Sequence, residues 1–299
     1  MTVIGIRHRT SYRYREPVSL GPHRLMLRPR EGRDIRLIGF DLDITPAARL
    51  TWGQDVYGNS VAMATFSAMT DHLTVESIAQ VRIDAAQWPV FDIAASAISY
   101  PFRYSDNDWA ELGVLAAPHH ADPAGSLGDW ARRVVRGNPT DTLSLLKDLS
   151  AGVAAGTAYQ TRDEEGTQPP LQTLQRGIGS CRDFALLFVE AARTLGFGAR
   201  LISGYIHNPD GDPADAAGSG TTHAWAEIYL PGAGWIAFDP TNRGFGGHNL
   251  VPVAVARDMA QAAPVVGSYV GDGQAFEGMT IAVSVTGNPW PARPLTRIV

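Results

Sequence analysis

The spacing of apolar residues in this chain changes from the period of a strand to the period of a helix, and that change limits the folds open to it. Residues 3–15 alternate strictly between two faces, which is the pattern of a half-buried strand. One face carries Ile6, His8, Thr10, Tyr12 and Tyr14, and the other carries Arg7, Arg9, Ser11, Arg13 and Arg15. Short strand-like runs continue to about residue 85, and Gly58-Asn59 marks a hairpin turn between two of them. An antiparallel β domain is therefore predicted over residues 1–85.

Residues 86–123 contain prolines and turn residues without a strand or helix period, which predicts an irregular connection. Helical periodicity follows, first as an apolar stripe over 127–134 and then after Asp141, a good N-cap for the run that begins at residue 142. A run of strands followed by helices is typical of the α+β class. The second predicted domain spans residues 124–299.

The composition indicates which cellular compartment and which classes of partner to expect. A chain of 299 residues is long enough for about two domains, and its net charge of −5 argues against nucleic acid or an anionic membrane as the main partner. No apolar run approaches the length of a membrane-spanning helix. At the start of the sequence, arginines directly follow a short apolar run, whereas a signal peptide carries its positive charges before its apolar run. A chain with one cysteine cannot form an internal disulfide. A cytoplasmic protein without a membrane or nucleic-acid partner is expected, and the oligomeric state is left open.

Cys181, the single cysteine, stands at the start of a predicted helix. Gly177, Gly179 and Ser180 precede it, apolar residues then repeat at helical spacing, and Gly196 supplies the stop signal. The free N–H groups and the dipole of the first turn favour a thiolate and can also receive an oxyanion. A small apolar side chain that only packs is an equally good interpretation of this segment by itself.

A base for the thiol is predicted on a strand further along. His223 begins a run that alternates polar or aromatic residues with apolar ones. If the turn after this run is 231–233, Leu230 lies opposite Gly234, and Asp239 becomes a diagonal neighbour of His223 on the same face. A two-residue loop would turn Asp239 to the other face. With the longer turn, the three residues form the set of nucleophile, base and orienting carboxylate.

Three separated blocks of sequence resemble the bacterial branch of the transglutaminase-like superfamily. They are G-x-G-x-C-R-D-F-A at 177–185, A-R-L-I-S-G-Y at 199–205 and H-A-W-A-E-I-Y-L-P-G-A-G-W-I-A-F-D-P-T-N at 223–242. The segments H-x-T-x-Y-x-Y at 8–14 and R-D-M-A-Q-A-A-P-V-V-G-S-Y at 257–269 resemble the same branch. The resemblance implies an N-terminal antiparallel β domain followed by a papain-like α+β core, in which the helix with the thiol packs on an antiparallel sheet. It also implies that Cys181, His223 and Asp239 form a catalytic triad.

The resemblance suggests roles for a few neighbours of the triad. Family members use a second oxyanion donor besides the N–H of the cysteine, and Tyr159 and Gln160 are candidates for it. Trp225 is expected to wall the site. Arg182 stands where glutamine is common in this branch, and together with Asp183 it is expected to cap and pair at the helix start rather than to take part in chemistry.

No metal or cofactor is expected. The sequence has no calcium loop of the D-x-D-x-D-G type, and Cys–His–Asp chemistry requires no metal. His8 is expected to pack within the sheet, because no second ligand lies at a suitable spacing. His119-His120 is expected to be a solvated loop pair, because adjacent side chains point apart.

The expected function is acyl transfer from an amide of a protein or peptide through a thioester. Water as the acceptor gives a cysteine peptidase or amidase, and an amine gives a transglutaminase. Hydrolysis is favoured, because water is always present and no amine-binding feature is visible. The alternative is a catalytically silent binding module with the same fold. The polar insert 207–222 lacks a core pattern, so it is predicted to be a mobile loop that borders the cleft and selects substrate.

Overall fold

The computed structural model describes residues 1–162, 166–208 and 220–287. In chain order the elements are β1 (Thr2–Leu20), β2 (His23–Leu25), β3 (Ile35–Thr45), β4 (Arg49–Gln54), β5 (Ser60–Thr65), β6 (Met69–Ile83), β7 (Ser99–Tyr100), α1 (Asp106–Leu112), α2 (Ser126–Val134), β8 (Thr140–Asp141), α3 (Thr142–Gly156), β9 (Ala158–Tyr159), α4 (Pro170–Arg176), β10 (Ile178–Gly179), α5 (Cys181–Thr194), β11 (Ala199–Ile206), β12 (His223–Leu230), β13 (Gly234–Asp239), β14 (Gly244–Phe245), β15 (Leu250–Ala256), β16 (Val265–Val266), β17 (Tyr269–Val270) and β18 (Phe276–Thr286). None of the helices in these ranges is both long and apolar enough to cross a bilayer.

Two antiparallel sheets make up the N-terminal part. One contains β1, β6 and β3, and the other contains β2, β5 and β4. Burial along β1 alternates as predicted: Ile6 and Thr10 are buried, whereas Arg7 and Arg9 are exposed. This alternation places one face of β1 in the core.

His8 packs within the sheet, as predicted. Its Nδ1 lies 2.9 Å from the Tyr205 hydroxyl and its Nε2 lies 2.9 Å from Thr10 Oγ1. Burial lowers the pKa of His8 to about 4, so the imidazole is neutral at physiological pH.

The C-terminal strands return to the N-terminal sheets. β18 pairs with β1 over ten positions from Gly5 to Tyr14, β17 pairs with the end of β1, and β16 pairs with β2. These strands cover edges of β1 and β2 that would otherwise lack hydrogen-bond partners. Strands between 265 and 286, which lie within the range 124–299 predicted for the catalytic domain, therefore complete the sheets of the N-terminal part.

The connection at 86–123 is less irregular than predicted, because it contains α1. Ser105 caps this helix by accepting the Asp108 N–H at 3.0 Å. A single turn of 3₁₀ helix, Gly113–Leu115, follows it.

The core of the C-terminal part is a helix packed on an antiparallel sheet, which confirms the predicted α+β arrangement. The sheet has the order β14-β13-β12-β11-β15, and α5 lies on one of its faces. Ala224 and Ala226 on β12 face α5, and these small side chains let the helix approach closely. Helices α2 and α3, both predicted from their periodicity, pack around α5.

A hairpin of the N-terminal part is bonded to the edge of the C-terminal sheet. The hairpin predicted at Gly58-Asn59 exists, with a loop that spans 55–59 between β4 and β5. Asn59 is fully buried, and its amide exchanges hydrogen bonds with both backbone groups of Val255, Nδ2 to O at 2.8 Å and N to Oδ1 at 2.9 Å. Arg30 donates to Asn59 Oδ1 at 2.6 Å. The two parts are thus joined by a satisfied, buried polar network.

Candidate active site

Cys181 is the first residue of α5, and a capping network fixes the turn that presents it. Ser180 is the N-cap, and its N–H and hydroxyl both donate to Asp183 Oδ2, at 2.8 and 2.9 Å. This is the carboxylate half of a capping box. Cys181 itself is only 6% exposed.

Asp183 is also bound from outside the helix. Arg162 donates to its two carboxylate oxygens at 2.9 and 3.0 Å, and the Gln168 N–H donates at 2.7 Å. Burial by itself raises the pKa of Asp183, but the hydrogen bonds from Ser180, Gln168 and Arg162 outweigh it and hold the pKa below its usual value. The expectation that Asp183 caps and pairs at the helix start agrees with these contacts. Arg182 donates to the Arg162 carbonyl at 3.4 Å.

The two oxyanion candidates lie beside the loop that enters α5. Tyr159 pairs with Gly179 in a short parallel bridge, and the Gln160 N–H donates to the Gly179 carbonyl at 2.9 Å. Tyr159 is 39% exposed and meets the edge of Phe184 at a centroid distance of 6.4 Å. A Cβ at Gly179 would meet the Cβ of Asp183 at 2.9 Å, so glycine is required for this approach.

His223 and Asp239 form a buried pair on neighbouring strands. The turn is the predicted one, with Leu230 opposite Gly234, and Asp239 therefore lies on the face of His223. His223 Nε2 lies 2.7 Å from Asp239 Oδ2, and the two residues are 1% and 2% exposed. Because a carboxylate only accepts hydrogen bonds, Nε2 carries the proton in this pair.

Asn242, which was not among the predicted site residues, also holds the carboxylate. Its Nδ2 donates to Asp239 Oδ2 at 2.9 Å, and the N–H groups of Thr241 and Asn242 donate to Oδ1 at 3.1 and 3.3 Å. The signal was present in the D-P-T-N segment, since an aspartate followed by a turn commonly binds the backbone two residues on.

The electrostatics of the pair favour a charged imidazole. Burial lowers the pKa of His223, but the charge and hydrogen bond of Asp239 and the nearby Cys181 thiol outweigh it and raise the pKa to about 10. Burial raises the pKa of Asp239, but the imidazole and Asn242 lower it overall. Within the described part of the chain, His223 Nδ1 is buried without a hydrogen-bond partner. The ring nitrogen that does not face Asp239 is thus available to a thiol proton.

Trp225 lies behind the imidazole rather than at an open wall. Its ring stacks on His223 with a centroid distance of 5.9 Å and an interplanar angle of 24°, and it is 1% exposed. Gly204 on the adjacent strand makes room for this indole, because a Cβ there would meet Trp225 at 2.7 Å. The stacking limits the rotation of the imidazole.

Most of the insert at 207–222, predicted to border the cleft, lies outside the described residues. At its described end, the Gly220 carbonyl accepts the Val283 N–H at 3.0 Å. The predicted role in substrate selection stays a prediction.

His119 and His120 differ from their expected arrangement. Both imidazoles turn toward Asp258, with Nε2 to Oδ2 distances of 3.7 and 4.0 Å. The reason is that Glu190 binds both backbone N–H groups at 2.8 Å, which bends the chain and brings the two rings to a centroid distance of 5.2 Å.

Comparisons with known proteins cover both parts of the chain. Residues 4–82 match the family model of the bacterial transglutaminase-like N-terminal region, and residues 128–240 match that of the transglutaminase-like superfamily. An uncharacterized protein of Mycobacterium tuberculosis is 26% identical over 287 residues, which cover 88% of this chain and 86% of the relative. One from Mycobacterium leprae is 25% identical over 283 residues, covering 89% and 92%.

A crystal structure from Cytophaga hutchinsonii, described as a candidate cysteine protease, is similar with a TM-score of 0.72 at 19% identity. The similarity covers 98% of this chain and 93% of that chain, so the fold is shared over both parts.

Proposed function

Because this chain belongs to the transglutaminase-like superfamily and carries the bacterial type of N-terminal region, we propose that it is a cysteine acyl-transfer enzyme. Its substrate would be an amide of a protein or peptide, and the reaction would pass through a thioester. Cys181 is the nucleophile, His223 the base and Asp239 the orienting carboxylate.

The buried His223–Asp239 pair is the observation that carries this proposal. The 2.7 Å contact to Asp239 orients the ring and leaves Nδ1 as the nitrogen that can accept a proton. The Cys181 thiol, which contributes to the raised pKa of this imidazole, stands in the first turn of α5. A thiolate is favoured there by the helix dipole and by a positive imidazolium.

The chemistry follows from these positions. Nδ1 takes the thiol proton, and the Cys181 sulfur attacks the amide carbon, so a C–S bond forms and the carbonyl π pair moves to oxygen. The N–H of Cys181 has no acceptor within the helix and can bind this oxyanion, and Tyr159 and Gln160, beside the loop that enters α5, are the candidate second donors. When the tetrahedral intermediate collapses, Nδ1–H protonates the leaving amine as the C–N bond breaks.

Resolution of the thioester needs the same base. Nδ1 takes a proton from water, whose oxygen attacks the acyl carbon, and returns it to sulfur as the C–S bond breaks. An amine nucleophile follows the same course and gives an amide. We propose hydrolysis as the main reaction, because water is always present, whereas transfer needs a second substrate with an amine. We propose that the protein acts in the cytoplasm, because a chain with one cysteine forms no internal disulfide and therefore needs no oxidising compartment.

The test is a substrate screen with and without an added amine. Full-length protein is incubated with a peptide mixture, with or without a labelled primary amine, and products are identified by mass spectrometry. Wild type should give cleaved or deamidated peptides, and Cys181→Ala should give none. Amine incorporation that exceeds hydrolysis would assign transfer instead. If wild type and Cys181→Ala give identical product lists, the enzyme proposal fails and a binding module is favoured.

A further inference from the structure

A second cluster of polar side chains lies away from Cys181. It consists of His119, His120 and Asp258, and one ligand atom from each lies within 4.8 Å of the others. The side chains are 40%, 27% and 27% exposed, so an ion could reach them from solvent. Nε2 of His120 is nevertheless buried, and it has no hydrogen-bond partner among the residues described.

Direct pairing does not satisfy these groups. At 3.7 and 4.0 Å, the two Nε2 atoms are too far from Asp258 Oδ2 for a hydrogen bond. A buried polar nitrogen without a partner is costly and calls for an explanation. An ion between the three ligand atoms would satisfy all of them at once.

The backbone that carries the two histidines is held from the interior. Glu190 Oε2 accepts the N–H groups of both, each at 2.8 Å, and Glu190 Oε1 accepts from Arg193 Nη1 at 2.7 Å. Both members of this ion pair are buried. Burying an ion pair costs free energy, so we attribute this pair to the backbone of His119 and His120, which it holds in place.

The same ion pair also fixes the residue before Asp258. Arg193 Nη2 donates to the Arg257 carbonyl at 3.2 Å. Asp258 then uses Oδ1 to cap a 3₁₀ turn by accepting the Ala260 N–H at 2.9 Å, which leaves Oδ2 for the histidines. The three side chains are thus set on rigid supports, as a built ligand site requires.

We propose that His119, His120 and Asp258 bind a divalent transition metal, with zinc as the best match. Two imidazoles and one carboxylate are common zinc ligands, at about 2.0–2.2 Å in tetrahedral geometry, which places ligand atoms roughly 3.4 Å apart. The observed separations need only small side-chain rotations to reach that value. A water molecule would be the fourth ligand.

The metal would join the connection at 86–123 to the turn that follows β15. It lies apart from the thiol, because Glu190 comes nine residues after Cys181, roughly 13 Å further along α5. We therefore expect it to stabilise the folded chain without taking part in acyl transfer.

The test is metal binding by the full-length chain in a Cys181→Ala background, which removes the thiol as a competing ligand. After EDTA treatment and its removal, Zn²⁺ is titrated by calorimetry and Co²⁺ by absorption. One equivalent of each should bind, and Co²⁺ should give the intense d–d bands of a four-coordinate site without a thiolate charge-transfer band. The melting temperature should rise with Zn²⁺ concentration.

Single variants identify the ligands. Asp258→Asn keeps the cap, because asparagine caps as well as aspartate, and it should weaken Zn²⁺ binding at least about tenfold, as should His120→Ala. The matched control is His72→Ala, which removes an exposed histidine that contacts Asp71 at 2.7 Å and should change nothing.

Two results would overturn the site. One is unchanged Zn²⁺ affinity in both ligand variants, and the other is the absence of saturable binding of either metal. Circular dichroism in EDTA checks that the variants fold. If His120→Ala does not fold, His119→Ala replaces it, since that side chain is more exposed and its backbone N–H still binds Glu190.

Discussion

Replacement of Asp239 by asparagine tests whether this carboxylate sets the tautomer of His223. Asp239 Oδ2 accepts from the imidazole and from Asn242, and Oδ1 accepts from two backbone N–H groups. An asparagine side chain has one oxygen and one NH₂ group. In either orientation of the amide, its NH₂ group therefore faces groups that are themselves hydrogen-bond donors. In one orientation the amide donates to Nε2, the ring proton moves to Nδ1, and the ring cannot accept a proton from Cys181.

The magnitude follows from the groups left without partners. Each buried donor that loses its acceptor costs about 1–3 kcal/mol, and removal of one partner of a buried ion pair costs about 3–5 kcal/mol. These two costs describe partly the same lost contacts and are not added together. We therefore expect Asp239→Asn to lower the free energy of unfolding by about 3–5 kcal/mol. Turnover of a substrate found in the screen should fall by about 10⁴, the loss seen when an orienting carboxylate becomes an amide.

The assay combines urea denaturation with alkylation of the thiol. Asp141→Asn is the matched control, because Asp141 caps α3 by accepting the Ser144 N–H at 2.7 Å, and asparagine caps equally well. The control should unfold within about 0.5 kcal/mol of wild type. Stability and alkylation rate at wild-type values in Asp239→Asn would refute the role given to this carboxylate.

Three further predictions concern the supports of the site. Asp183→Ala should lower stability by about 3–5 kcal/mol in urea denaturation, because it removes the buried carboxylate that accepts from Arg162 and from two buried N–H groups, and Asp183→Glu should not restore the alkylation rate if the helix start is displaced. The pKa of His223 is raised to about 10 in the folded state, so its stabilisation is complete below about 6.5 and is lost as the pH rises toward 10. Wild type should therefore melt at lower temperature across that window, and a flat profile would contradict the pairing. Asn59→Ala should cost about 2–4 kcal/mol by leaving the Val255 backbone unpaired, with the pH profile of alkylation unchanged.

Features set by neighbouring residues were predictable from the sequence. The alternation along β1 and the start and stop signals of α5 are local, and each matches the structure. The turn after Leu230 was also sufficient to place Asp239 on the face of His223, because strand register follows from turn length.

Features that depend on distant partners were not predictable. The return of β18 to β1 joins residues more than 250 positions apart, and no local pattern specifies that pairing. The orientation of His119 and His120 depends on a carboxylate on α5 that binds their backbone, so side-chain directions argued from adjacency alone were misleading. Asn242 was overlooked although its position after Asp239 carried a local turn signal.

The central claim is that Cys181 and His223 act as a pair, and the pH dependence of alkylation tests it most directly. The rate of modification by iodoacetamide is measured across pH for wild type and for His223→Ala, with the folded fraction checked by circular dichroism. Wild type should reach half its maximal rate well below pH 8.5, about the value of a free cysteine, and His223→Ala should shift this midpoint upward. Identical profiles with a midpoint near that of a free cysteine in both proteins would contradict it.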